Sequence, residues 1–193
     1  MRKAIAKRRT VWAGVVALLA ASVGVLTVTA GPVSASVRDV ANDQEYRDAL
    51  AFVSGDASGP HVINITADFT ITEPGDPTYA NLTQPLTING NGHTIDGGGS
   101  HRILFQRLAG GALTVNDLTV VDGYGRYGRS VGGIDGLESV TVTNSTFTGN
   151  AGAAIGAYGP VSVTNSTFTD NTSNRPGAAI TSGQGQVTVT NST

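Results

Sequence analysis

Beyond Pro60 the chain alternates apolar and polar residues in short runs, each closed by Gly, Asn or Asp. Leu86-Thr87-Ile88-Asn89, Leu113-Thr114-Val115-Asn116 and Val140-Thr141-Val142-Thr143 are typical. A period of two over four or five residues predicts strands with one buried face. The preceding segment has a different period. Tyr46, Ala49, Leu50 and Val53 fall at i, i+3, i+4 and i+7, which predicts an amphipathic helix over 43–54. Asn42 followed by Glu45 reads as its capping box, and Gly55-Asp56 with Ser58-Gly59-Pro60 ends it. One short helix followed only by strands is expected to act as a lid, so 36–60 is read as an N-terminal cap helix and linker.

The strands recur in sequence as well as in pattern. VTVTNSTFTGN at 140–150 returns as VSVTNSTFTDN at 161–171 and as VTVTNST at 187–193. Looser copies stand at 113–123 and 86–97, so the starts 86, 113, 140, 161 and 187 are spaced by 27, 27, 21 and 26 residues. A second motif lies between them, ending at Ile134, Ile155 and Ile180. Each of these Ile residues precedes the next start by six or seven positions, which confines length variation to the loop before it.

A period of this length suits three short strands with turns, one circuit of a parallel β-helix. Circuits stack at roughly 4.8 Å, so equivalent residues form columns. Four interior columns are expected over about five coils in 61–193. Leu86, Leu113, Val140, Val161 and Val187 form the first, and Ile88, Val115, Val142, Val163 and Val189 the second. Ile95, Val120, Phe147 and Phe168 form a third, and the three Ile residues a fourth, with the intervening Thr residues facing out. A leucine-rich solenoid lacks its Leu consensus here, and a β-sandwich would not need such recurrence. Calcium-binding nonapeptide solenoids need repeated GGxGxDxUx units, and Asp96-Gly97-Gly98-Gly99 stands alone.

The first thirty-five residues stand apart from the repeats. Arg2, Lys3, Lys7, Arg8 and Arg9 precede an apolar run from Val11 to Ala30 and a small-residue site at Ala35. This predicts a secretory signal over 1–35, cut after Ala35 or alternatively after Ala30, and a secreted or cell-surface product. An uncleaved anchor is the competing reading, since the run approaches the length of a span. No membrane span is expected after cleavage. Residues 36–193 then hold seven Arg, no Lys and fourteen Asp and Glu, a net charge near −7. Such an inventory cannot build a basic stripe for phosphate backbones, so nucleic acid is excluded as a partner. Cysteine is absent, which removes disulfide frameworks and thiolate metal sites.

The paired FTGN and GAAI strings (Phe147–Asn150 with Gly152–Ile155) and FTDN and GAAI strings (Phe168–Asn171 with Gly177–Ile180) resemble the FxxN and GGAI repeats of polymorphic outer-membrane proteins. More generally they are similar to secreted right-handed parallel β-helix proteins of the pectin-lyase-like superfold, over roughly 37–193. LTINGNGHTIDGGG at 86–99 resembles the first-coil segment of such proteins. The resemblance implies an all-β, right-handed parallel β-helix with a short N-terminal capping helix. It does not fix the activity, because that superfold carries lyases, hydrolases, adhesins and stalks.

Lyases and hydrolases on this superfold work with carboxylates on one face, which makes Asp96, Asp122 and Asp170 candidates. Asp122 and Asp170 share one repeat offset, Asp96 lies one position further on, and Gly149 interrupts the set. Two stacking steps would part Asp122 from Asp170 by about 9–10 Å, at the upper edge of an inverting carboxylate pair. Turn residues are the simpler account. His101, Arg102 and Arg107 form a basic cluster that could contact a uronate carboxylate. The motif strings of the superfold's galacturonan hydrolases and pectate lyases are absent, so Arg102 and Arg107 read more simply as exposed charges. Tyr124, Arg126, Tyr127 and Arg129, on a Gly-rich loop, are the ligand-binding candidates, since aromatic rings stack on sugars and Arg supplies donors. Asn144, Asn165 and Asn191 in one column, and Asn150 and Asn171 in another, read as amide ladders rather than as ligand sites. The N-S-T strings at the first column also fit glycosylation sequons, a match expected from the Thr-rich repeat itself.

The expected function is a non-catalytic extracellular or cell-surface scaffold, an adhesin-like module that could contact polysaccharide through the 122–129 loop. Neither cofactor nor metal is expected. The alternative is a polysaccharide lyase or glycoside hydrolase whose catalytic coils are partly missing, and calcium would enter only with that reading. Thr193 falls in mid-coil, so the chain is expected to be a fragment of a longer protein or to pair another chain along that edge.

Overall fold

The computed structural model describes residues 35–72, 79–106, 110–125, 131–174 and 176–193. The expected signal segment, apart from Ala35, lies outside them. All strand pairs are parallel, and they form three sheets that the chain visits in turn, as a parallel β-solenoid must. The first sheet holds Ser36–Val40, His61–Ile65, Leu86–Asn89, Leu113–Asn116, Val140–Thr143, Val161–Thr164 and Val187–Thr190. The second holds Phe69–Thr70, Thr94–Asp96, Thr119–Val121, Thr146–Thr148 and Thr167–Thr169. The third holds Tyr79–Ala80, Leu104–Gln106, Val131–Gly136, Ala153–Ala157 and Ile180–Ser182.

Register follows the sequence columns. Leu86 pairs with Leu113, Leu113 with Val140, Val140 with Val161 and Val161 with Val187. Ile95, Val120, Phe147 and Phe168 stack in the second sheet, and Ile134, Ile155 and Ile180 in the third. These side chains fill one continuous core, with Phe168 and Ile180 packed at its margin, except on the outermost strand, where Val187 and Val189, expected in the interior, are 43% and 50% exposed. Phe147 and Phe168 are face-to-face, with centroids 5.3 Å apart and ring planes within 7°. Leu104 extends the fourth column, and Phe69 the third.

Two expectations need correction. Seven strands in the first sheet make about six turns, not five. The additional strands are His61–Ile65, which precedes the first expected column member, and Ser36–Val40, inside the segment read as cap helix and linker, where Arg38 and Asp39 hide the apolar alternation. The inward Val40 is buried, and the Arg38 guanidinium lies 3.6 Å from the Phe52 ring centroid. His61 occupies an inward position beside Ser36, which is possible because both ring nitrogens have partners, the Ser36 hydroxyl and the Asp56 carbonyl.

The helix spans Asp43–Gly55. Glu45 N–H donates to Asn42 Oδ1 at 3.0 Å, the N-cap bond expected, whereas the Glu45 carboxylate accepts from Ala41 N–H at 2.8 Å, one residue ahead of the Asn42 N–H that a strict capping box uses. Tyr46, Ala49, Leu50 and Val53 are its buried stripe and join the solenoid core. The Tyr46 hydroxyl donates to Ile103 O at 3.2 Å, and burial pushes its pKa well above the ordinary tyrosine value.

Candidate functional site

Between the first two sheets the chain turns at a left-handed residue: Asp117, Asn144, Asn165 and Asn191 have φ between 50° and 52°. Asn and Asp tolerate this conformation better than other side-chain-bearing residues, which accounts for their column. The Ser that follows each Asn forms a buried ladder. Ser145 N–H donates to Ser166 Oγ, Ser166 N–H donates to Ser192 Oγ, and each hydroxyl donates to its own i−2 carbonyl. The N-S-T strings at 144–146 and 165–167 thus each have a corner residue, a ladder residue and a strand residue. The Asn side chains are exposed here, with one contact of 3.3 Å between Asn165 and Asn144.

The second corner decides the fate of the acids. Asp122, Gly149 and Asp170 occupy one column, all with positive φ (47°, 65° and 53°). A Cβ on Gly149 would stand 2.3 Å from Asp122 Oδ1, so the carboxylate of one coil leans over the glycine of the next. Asp96 is not in this column. Two extra residues in the corner ahead of it shift the phase, so Asp96 pairs with Val121 on a strand. It accepts from Gly98 N–H at 2.7 Å. Asp96 lines a separate cleft of about 280 Å³ with Asp68, Thr70 and Thr94. There the Thr94 N–H and His93 hold the exposed Asp68 carboxyl below the usual range. Among the described residues no three His, Asp or Glu side chains group as a metal site requires.

Next to these corner residues lies the second Asn ladder, fully integrated in the fold. Asn150 is buried; its carboxamide accepts from Gly123 N–H at 2.9 Å and donates to Asn171 Oδ1 at 2.8 Å. Asn171 in turn donates to Phe147 O. The ladder fixes the path of the chain as it leaves the second sheet, and so fixes Tyr124.

Tyr124, Ala151 and Thr172 follow the ladder as bridged neighbours on three successive coils. Tyr124 N–H donates to His101 O at 2.8 Å, and Gly125 N–H to Ala151 O at 2.8 Å. Because Ala151 and Gly152 are small, the coils leave a cleft of about 360 Å³ lined by Tyr124, Gly125, Ala151, Gly152, Thr172, Ser173 and Asn174. Tyr124 is 43% exposed at its edge. Neither Asp122 nor Asp170 lines it. Of the four ligand candidates Tyr124 alone falls within the described residues; Arg126, Tyr127 and Arg129 lie outside them, as does Arg107. Thr172, Ser173 and Asn174 were not anticipated, although they directly follow the FxxN motif.

The basic cluster also differs from expectation. Arg102 is buried at 5% exposure rather than solvated, with its guanidinium 4.8 Å from the Phe105 ring centroid. Desolvated cations are held well by aromatic faces, and Arg stacks better than Lys. Phe105 is outward in the third sheet and pairs with Tyr79 on one side and Asp135 on the other. His101 holds the Tyr124 backbone through its carbonyl, so it positions the cleft from outside it.

The described residues form a three-sheet parallel β-solenoid with a helix at its N-terminal end. Residues 37–154 match the pectate lyase-like adhesive domain, and the chain belongs to that family. No curated protein and no solved structure matches the chain.

Proposed function

We propose that the protein is a non-catalytic adhesive module that acts outside the cell and binds polysaccharide in the Tyr124 cleft. The observation that carries this reading is the composition of the cleft: one exposed aromatic ring, a floor of Ala and Gly, and a far wall of hydroxyls and an amide. A ring face stacks on the apolar face of a pyranose, and hydroxyls and amides bond its periphery. The family description, a pectate lyase-like adhesive domain, supports the adhesive part of this reading. The dispersed acids also support it, because Asp96 belongs to one cleft while Asp122 and Asp170 serve as corner residues.

The test is binding of the purified protein to a panel of neutral and acidic polysaccharides. At least one should be retained, and Tyr124→Ala should weaken retention about tenfold, the scale of one lost stacking contact. Retention unchanged in Tyr124→Ala would remove the cleft from the proposal. Depolymerisation of any member of the panel would replace the adhesive reading with an enzymatic one.

A further inference from the structure

A second cleft lies at the capped end of the solenoid, on residues that the Tyr124 cleft does not use. It opens between the Asp43–Gly55 helix and the first strand of the third sheet, encloses about 430 Å³, and is lined by Arg47, Asp48, Ala51, Ser54, Tyr79 and Asn81. The four helix residues fall at i, i+1, i+4 and i+7, one stripe round from the buried Tyr46, Ala49, Leu50 and Val53. Both walls are fixed in advance. Ser54 Oγ donates to Leu50 O at 2.7 Å and accepts from Asn81 N–H at 3.0 Å, which ties the strand end to the helix. Ala80 is buried in the core, so its neighbour Tyr79 faces outward, 41% exposed. Arg47 Nη2 donates to Asp43 Oδ2, which also accepts from Thr72 N–H at 2.9 Å, so the guanidinium is anchored to the solenoid.

The bonding capacity left over defines the ligand. Arg47 has this single acceptor, and its Nε is buried with no partner among the described residues. Asp48 accepts from Gln44 Nε2 at Oδ1 and keeps Oδ2 open. The Asn81 carboxamide bonds to no described residue. We propose that this cleft binds one uncharged pyranose residue of a glycan. A sugar hydroxyl both donates and accepts, so neighbouring hydroxyls suit a carboxylate oxygen set beside guanidinium and amide donors. Bonds to charged partners are the stronger kind. The Tyr79 ring offers the stacking face, and Ala51 is small enough to leave room beside it. Charge selects among sugars: Asp43 already balances Arg47, and Asp48 leaves the cleft net negative, which disfavours a uronate. One ring and three polar groups hold a single sugar with a dissociation constant on the order of millimolar, too weakly to retain a polymer alone. The site therefore adds a second grip to a glycan bound in the Tyr124 cleft. Its own chemistry does not depend on that cleft.

Methyl glycosides of glucose, galactose and mannose, titrated into the isotope-labelled full chain and followed by nuclear magnetic resonance, are the probes. At least one should shift the backbone amides of Asp48, Ser54 and Asn81 with saturation, and the methyl glycoside of galacturonate should bind there more weakly. Tyr79→Ala should weaken the binding about tenfold. Asp48→Ala should also weaken it, while Tyr124→Ala leaves these shifts unchanged. Tyr79 and Asp48 are exposed, so both variants keep the core, and an unaltered urea midpoint checks this. Absence of saturable shifts with all three neutral glycosides overturns the proposal, as does full-strength binding in either cleft variant. Tighter binding of the uronate overturns the choice of an uncharged sugar.

Discussion

At the corners of the solenoid single residues have sharply different roles despite similar chemistry. Asp122 holds a left-handed turn at the surface, whereas Asn150, on the neighbouring ladder, is buried and bonded to the coils on both sides of it. Asp122→Asn should change stability by less than about 0.5 kcal/mol, since Asn tolerates the same backbone and loses no buried bond. Asn150→Ala leaves Gly123 N–H without its buried acceptor and should cost about 2–3 kcal/mol. Urea unfolding of the two variants measures both, and a costly Asp122→Asn would mean that the carboxylate does more than shape a turn. The same contrast explains what could be read of the site in advance. Asp122 and Asp170 stand at equal repeat offsets, and their turn role followed from that. Asp96 was misphased because the extra residues around Asn91-Gly92 are invisible to an offset count. Burial of Arg102 was illegible for another reason: its guanidinium lies against the Phe105 ring three residues on, a contact that no repeat position announces.

Elements of the coil were legible to the degree that they repeat. Period-two strands, their columns and the Asn42 helix cap all follow from local pattern, because each is decided within a few residues. Ser36–Val40 was missed since its pairing is set by backbone bonds to His61–Ile65, whatever its side chains advertise. The columns make a strong claim about element energetics. Val142 and Phe147 sit in mid-column with no exposure, so an Asp at either position would bury an unpaired charge between two coils. Val142→Asp and Phe147→Asp should fail to fold. The milder Phe147→Ala also removes the stacked contact with Phe168 and should cost about 3–5 kcal/mol. Circular dichroism and denaturant titration of these variants check the register, and native-like stability of Val142→Asp would refute it.

For the whole molecule, a solenoid is nearly one-dimensional: each coil rests only on its neighbours, so the scaffold and the site can be separated by deletion. Val140 pairs with Val161 and Thr143 with Thr164, so removing residues 140–160 takes out one full circuit. Ser139 would then lead into Val161-Ser162-Val163-Thr164, placing Val161 on Leu113 and Phe168 on Val120 with inward parity kept. Such a protein should unfold cooperatively, at a lower temperature because one layer of core is gone. Removing 140–150 instead would bring unlike segments into register and should leave an unfolded chain. The clean deletion has a further consequence. It removes Ala151 and Gly152, the floor of the Tyr124 cleft, and brings Thr172 directly beside Tyr124. The shortened protein should therefore remain folded while losing polysaccharide retention. Retention that survives in the folded deletion would show that adhesion lies on another surface, whereas its loss would tie binding to the gap left by two small residues between stacked coils.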